Sequence, residues 1–581
     1  VNGIGAYYYA TAEPGLFVVS ASFLPDEANG GPEAVVAAVL REVALLRTDP
    51  PSRRELERVR TVLENQAIYQ TRTVEGIANR IGYFHTVAGG LDFERTFIER
   101  IRQVTPEQLA EVAGRWLTPE NLTVGLMLPT AWTDRAPDHA ALSTVVATTW
   151  AETAESAGAA VVADEYGVVR HVFDNGLVLL IEQDATSPTF TARTAALSGA
   201  LYEPESEAGI THFAAELLTS GTTRHTASEL SRAVDSLAAG LSGFSGRNSM
   251  GAQVTALSGD LDDGLELLAE IVFDATFPAD ELERVRRETL EAIEASNDDL
   301  AGTAYRMFGA EVFGSHPYAR PMIGTEESVR SITRSEVVAW HRATMRPERM
   351  VVAVVGDVDP VEVINTVGAL FSREVDGEPV TAQPTTTLPA PHTIRVEQSR
   401  ERQQAHIVVG YPGVAEDDPS RASLDVLAAI LSGQGGRLFY ELRDRQGLAY
   451  SVSASNSAAV GAGTFSFYIA TSEANLEPAI GAMQEQIERL RTEGVTADEV
   501  ARAQRLILGR RDISLQRQNA RAGHLCVDTL LGRGHGYRWQ WPSELEAVTA
   551  DSVGAAIARI FVESHEVVSV VRPGVGTQPA E

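Results

Sequence analysis

The chain has 581 residues, a formal net charge of −31 and 44% hydrophobic residues, and every one of its 48 basic side chains is Arg. That length excludes a single hydrophobic core, so acidic a surface repels polynucleotides and anionic lipid, and no apolar run approaches the ~20 residues of a membrane helix. The lone Cys526 excludes an internal disulfide and a multi-cysteine zinc site.

In chain order, Ala6 to Tyr9 and Leu16 to Phe23 are rich in aromatic and β-branched residues and read as strands. An amphipathic helix follows around Pro32 to Leu46, then Pro51-Ser52-Arg53-Arg54-Glu55-Leu56. Val104-Thr105-Pro106-Glu107 opens a further helix, and Leu122 to Leu128 reads as a closing strand. The stretch 130–165, rich in Ala, Thr and acids without clear periodicity, reads as a linker. Asn175-Gly176, set between His171-Val172-Phe173 and Leu177-Val178-Leu179, predicts a two-residue hairpin. Ile332-Thr333-Arg334-Ser335-Glu336, followed by Met350 to Val355, predicts a capped helix and a strand. Residues 374–394, dense in Pro and Thr, predict a second linker. Beyond it come a strand at Thr464 to Ile469, a helix at Leu476 to Leu490, the cap Val495-Thr496-Ala497-Asp498-Glu499-Val500, and Val548-Thr549-Ala550-Asp551 before a last strand at Val567 to Val571.

The chain repeats itself. The Gly15 strand, its following helix and the Thr105 cap recur, about 445 positions later, as the Gly463 strand, its helix and the Thr549 cap. The Thr333 segment is a third version of the same ending. Hairpins followed by clustered helices predict an α+β fold, with helices on mainly antiparallel sheets. No Gly-rich loop joins a strand to a helix as a phosphate site would, and no G-x-S-x-G marks a serine nucleophile.

Three segments then carry a resemblance. Gly209-Ile210-Thr211-His212-Phe213-Ala214-Ala215-Glu216-Leu217-Leu218 with Gly221-Thr222 resembles the zinc helix of the M16 (insulinase/pitrilysin-like) metallopeptidases, whose motif is H-x-x-E-H. His316-Pro317-Tyr318-Ala319-Arg320-Pro321 with Gly324-Thr325, and Gly436-Arg437-Leu438 running to Leu442-Arg443-Asp444-Arg445-Gln446-Gly447-Leu448-Ala449-Tyr450, are similar to further segments of that family. The resemblance implies tandem M16-type domains of the LuxS/MPP kind. Residues 1–129 are then a truncated second domain, 130–165 a linker, 166–373 a third domain, 374–394 a linker, 395–575 a fourth domain and 576–581 a tail. The zinc-binding first domain is expected upstream.

Two His four positions apart share one helical face, and the Glu beside them activates a metal-bound water. Here His212 keeps the first ligand position, Ala215 stands in place of the base, Glu216 in place of the second His, and Ala292, in Thr289-Leu290-Glu291-Ala292-Ile293, in place of the distant Glu. Even with Glu291, the set lacks a base, so no catalytic residue is intact and zinc is expected in the first domain, with none in this chain. The resemblance also implies that Arg443 and Tyr450 reach the zinc site of a partner domain and bind substrate backbone. Donors of this kind suit charge developing on a carbonyl oxygen.

The expected function is that of one part of a zinc metalloendopeptidase acting on peptides or small unfolded proteins, with this portion shaping the chamber and the first domain or a homologous subunit as partner. The alternative is a non-catalytic scaffold or partner subunit, as in processing peptidases. The acidic surface suits basic peptides as well as plain solubility, and a bacterial periplasmic or cytoplasmic setting stays open. His316 reads as a turn residue, His524 as helix packing, and His535 as part of a flexible loop.

Overall fold

The computed structural model describes residues 3–10, 15–23, 31–47, 74–87, 92–157, 163–375, 377–382, 392–400 and 403–574, with positions 51, 56, 59, 60, 63 and 90. It divides into two compact units, 1–162 and 163–581.

In the first unit, β1 (Gly3–Tyr9) and β2 (Leu16–Ser22) pair antiparallel, Gly3 opposite Ser22. Among the described residues the helices α1 (Gly31–Leu45), α2 (Val74–Thr86), α3 (Asp92–Gln103) and α4 (Pro106–Trp116) follow. Two expectations need correction. Leu122 to Leu128 forms no strand and pairs with neither free edge of the β1–β2 ribbon. The stretch read as an unpacked linker carries α5 (His139–Ala157), which packs along α1 and buries Thr149. The Asp138 carboxylate accepts from the Ala141 N–H at its start, and a run free of Gly and Pro, packed on α1, holds a helix where periodicity is weak.

The second unit holds two sheets in tandem. The first contains β3 (Val168–Val172), β4 (Val178–Gln183), β5 (Thr189–Leu197), β6 (Gly240–Ser245), β7 (Ser249–Leu257) and β8 (Met350–Gly356), in the order β3-β4-β8-β5-β7-β6. Only β4 and β8 run parallel. The hairpin forms, but its loop has three residues, Asp174-Asn175-Gly176, rather than the two predicted: Val172 faces Val178, the Phe173 N–H donates to the Leu177 carbonyl, and Gly176 alone of the three takes a positive φ, 85°. Its helices are α6 (Ile210–Leu217), α7 (Ala227–Ser236), α8 (Leu261–Phe273), α9 (Ala279–Asp298), α10 (Leu300–Phe313), α11 (Glu326–Ser331), α12 (Arg334–Thr344) and α13 (Pro360–Phe371).

The second sheet takes the order β11-β12-β10-β13-β9, from β9 (Ile394–Arg400), β10 (Gln404–Pro412), β11 (Ser451–Ala459), β12 (Ala462–Ser472) and β13 (Val567–Pro573). Only β13 and β9 are parallel. Its helices are α14 (Arg421–Leu431), α15 (Leu476–Glu493), α16 (Ala497–Leu515), α17 (Gln518–Leu530), α18 (Tyr537–Glu546) and α19 (Ala550–Ile560).

One face of each sheet packs on its own helices, as expected; the other face is also covered, by a helix from the neighbouring domain. From the second domain, α17 lies on β5 and β8, where Ala522, Leu525 and Cys526 meet Val168, Leu180, Ala195, Val351, Ala353 and Val355. Reciprocally, α10 lies on β10 and β13, where Ala304, Phe308 and Val312 meet Val408, Val567 and Val571. A Cβ at Gly410 would stand 2.6 Å from the Phe308 ring, so glycine there admits the incoming helix. Small residues on both surfaces bring helix and sheet close.

The repeated Thr caps have one physical cause. Thr105, Thr333, Thr496 and Thr549 each begin a helix in a capping box, with Gln108, Glu336, Glu499 and Ser552 respectively. Between the domains, the second expected linker begins by running along the first domain, where Val380 is buried and its N–H donates to the Ala343 carbonyl. Residues 383–391 and the tail lie outside the described residues.

Candidate functional site

Helix α6 carries His212, Ala215 and Glu216, and the structure shows how tightly it is built in. Glu203, itself buried, accepts from the Gly209 N–H at 2.9 Å and the Thr211 N–H at 3.1 Å, filling donors that the helix start leaves open. Burial raises the Glu203 pKa despite these bonds. Arg320 donates to the carbonyls of Ala200 and Glu203, and Ser328 Oγ donates to the Ala208 carbonyl at 2.7 Å. Gly209 and Gly324, both at positive φ, touch backbone to backbone: a Cβ on Gly209 would lie 2.7 Å from Gly324 Cα. The 316–325 segment therefore braces the start of α6. The sequence reading did not single out Glu203; an acid shortly before a helix start was the available signal.

Below the helix lies β6, an edge strand of the first sheet. A Cβ at Gly243 would come within 2.1 Å of the Ala215 carbonyl oxygen, so glycine is what lets α6 rest on this strand. Ala215 is buried at that contact. His212 is half-buried and Glu216 exposed; burial lowers the His212 pKa, and the Glu216 charge opposes the shift. Helix α9 packs beside α6, with the Arg286 guanidinium 5.8 Å from the centre of the Phe213 ring, and its Glu291 and Ala292 are exposed.

This donor set does not fit zinc. His212 and Glu216 are two ligands on one helix, whereas Ala215 and Ala292 offer no donor atom, and a catalytic site takes three protein ligands and a base. Among the described residues no three His, Cys, Asp or Glu side chains form a group that could hold a metal ion.

The second cluster surrounds Arg443 and Tyr450. Arg443 lies in a wide helical segment, Phe439–Arg445, whose Leu442 is fully buried. Its guanidinium sits 4.6 Å from the Phe439 ring centre and is otherwise turned to solvent, while neighbouring Arg445 pairs with Glu441 at 2.8 Å. The loop back to the sheet is held by the Leu448 N–H on the Leu442 carbonyl and by Thr471 Oγ1 on the Leu448 carbonyl. Tyr450 donates its backbone N–H to the Ala470 carbonyl, directly before edge strand β11, and leaves its side chain 58% exposed. Arg437, from the same motif, has a different role: it makes a bidentate pair with Glu499 at 2.6 and 2.7 Å and ties the segment to α16. Held mainly by Arg437, the Glu499 pKa falls to about 2.

His316 is buried, and its Nδ1 accepts from the Tyr318 N–H. His524, read as helix packing, is instead exposed on α17, its Nδ1 3.8 Å from the Asp528 carboxylate. The loop carrying His535, expected to be flexible, is pinned: His535 Nε2 lies 2.5 Å from Asp164, and Tyr166 stacks on Trp539 at 5.0 Å. Cys526 is sealed between the domains, its thiol pushed up to about 12 by burial.

Two family models match: "Insulinase (Peptidase family M16)" over residues 178–326 and "Peptidase M16 inactive domain" over residues 331–507, together more than half the chain. An uncharacterized zinc protease of Streptomyces coelicolor is 26% identical over 382 residues, covering 63% of this chain and 81% of that protein. Another from Mycobacterium leprae is 29% identical over 363 residues, covering 61% and 80%. The uncharacterized zinc protease YmxG of Bacillus subtilis is 24% identical over 399 residues, covering 68% and 97%. The crystal structure of a peptidase M16 inactive domain from Pseudomonas fluorescens superposes with a TM-score of 0.65 at 22% identity, covering 71% of this chain and all of that one. A Helicobacter pylori protease gives 0.64 at 18%, covering 70% and 99%. With its two sheets, its braced helix and these matches, the chain belongs to the M16 family of insulinase-type metallopeptidases.

Proposed function

We propose that this chain forms part of the substrate chamber of a zinc-dependent metalloendopeptidase acting on peptides or small unfolded proteins, and that the metal is held by another M16 domain. The observation that carries the reading is the contrast between its two motif regions. On α6 two of the four chemical positions are alanines, while Arg443 and Tyr450 stand exposed beside an edge strand. An extended peptide added to such an edge is bound by its backbone, so selection follows size and shape more than side chains. Arg443 and Tyr450 would then donate to the substrate carbonyl as charge develops on its oxygen.

The test uses the 581-residue chain alone and together with an M16 subunit carrying H-x-x-E-H. Alone, with zinc and a quenched peptide, the chain leaves the peptide intact. In the active assembly, Arg443→Ala and Tyr450→Phe each lower kcat/KM by roughly 100- to 1000-fold, the scale of a lost oxyanion donor. Zinc-dependent cleavage by the chain alone would overturn the reading.

A further inference from the structure

The helix that crosses from one domain to the other has a counterpart in the first unit. The displacement that carries the Thr105 cap onto the Thr549 cap also carries α4 onto α19, and α2 (Val74–Thr86) onto α17 (Gln518–Leu530), end for end. In α17 the residues seated on the foreign sheet are Ala522, Leu525 and Cys526, all fully buried. The same positions of α2 are Ala78, Ile81 and Gly82, again small, large, small, and all are exposed, Ile81 to 48% and adjacent Ile77 to 42%.

We infer that α2 is a docking helix for the back of a β-sheet in another domain of the 166–373 type, seated as α17 is seated on β5 and β8. The occupant's chemistry follows from that example: a flat face of small and aliphatic side chains like Val168, Leu180, Ala195, Ala353 and Val355. The sheets of the second unit are not candidates, since α10 and α17 already cover their backs, and a second copy of this chain brings the same covered sheets. The inference rests on the chain being one part of a larger peptidase. Its test reads a contact rather than cleavage, so either can fail without the other.

The experiment places the photo-crosslinker p-benzoylphenylalanine at position 77 of the protein in the cells that make it. Irradiation is expected to join residue 77 to an M16-type domain, at the end of the strand equivalent to β4, where Arg521, the counterpart of residue 77, meets Glu182 and Asp184; gel mass tells whether that domain lies in the same polypeptide or in a second one. Adding Ile81→Glu should cut the yield by about tenfold or more, because docking would bury an unpaired carboxylate. Ile81 is exposed, so an unchanged melting temperature shows that the fold is intact. No cross-link, or one to a second copy of this chain, a lipid or a protein without this fold, overturns the inference.

Discussion

Gly243 shows how little freedom the α6 site allows. Any side chain there meets the Ala215 carbonyl, so Gly243→Val should cost about 1–3 kcal/mol of overpacking and lower the melting temperature, while the same change at solvent-facing Gly259 should not. Acid sensitivity is also set by single residues. Asp184 is held at about 2, from a usual 3.8, by Thr186 and then Arg521, and Glu499 at about 2, from 4.5, by Arg437. Both folded values are depressed, so these groups stabilise the fold above their unfolded values, near 4, and that contribution is lost as pH falls towards 2. Urea melts across pH 5 to 2 should show a steep fall in stability, shallower in Arg437→Ala, where Glu499 no longer has its partner. The residue types at 212, 215, 216 and 292 were legible in the sequence because chemistry depends on identity. The supports of α6 were less so: Glu203 acts through its position at a helix start, which one-dimensional spacing does not reveal.

Among the elements, the repeated Thr caps were readable because a capping box is written within four residues, and the place of the hairpin because Asn-Gly is local, although its loop takes in Asp174 as well and closes with glycine in the left-handed position. Local signals failed where structure depends on distant partners. The 122–128 segment has strand composition but pairs with neither free edge of the β1–β2 ribbon, and the 139–157 helix is sustained by packing on α1 rather than by a clean apolar stripe. The exchange of α10 and α17 was not legible either, since Ala522-Leu525-Cys526 looks like any helix packed on its own sheet. That exchange predicts strong coupling. Leu525→Ala should cost about 2–5 kcal/mol, and differential scanning calorimetry should show both domains of the second unit melting earlier together rather than one alone.

At the scale of the molecule, the ionic contacts reinforce the same junction. Arg521 pairs with Glu182 at 3.0 Å and with Asp184, and Arg538 pairs with Glu182 at 2.7 Å, all four side chains largely buried and drawn from both domains. Leaving any one unpaired is costly, so Glu182→Ala should destabilise the unit by roughly 3–5 kcal/mol in denaturant titrations. Because each domain lends a helix to the other, the peptide bonds between residues 382 and 392 are mechanically redundant. A chain severed there should stay associated in solution, held by the two buried helix seats and the Arg521 and Arg538 pairs, and gel filtration of the nicked protein reads it.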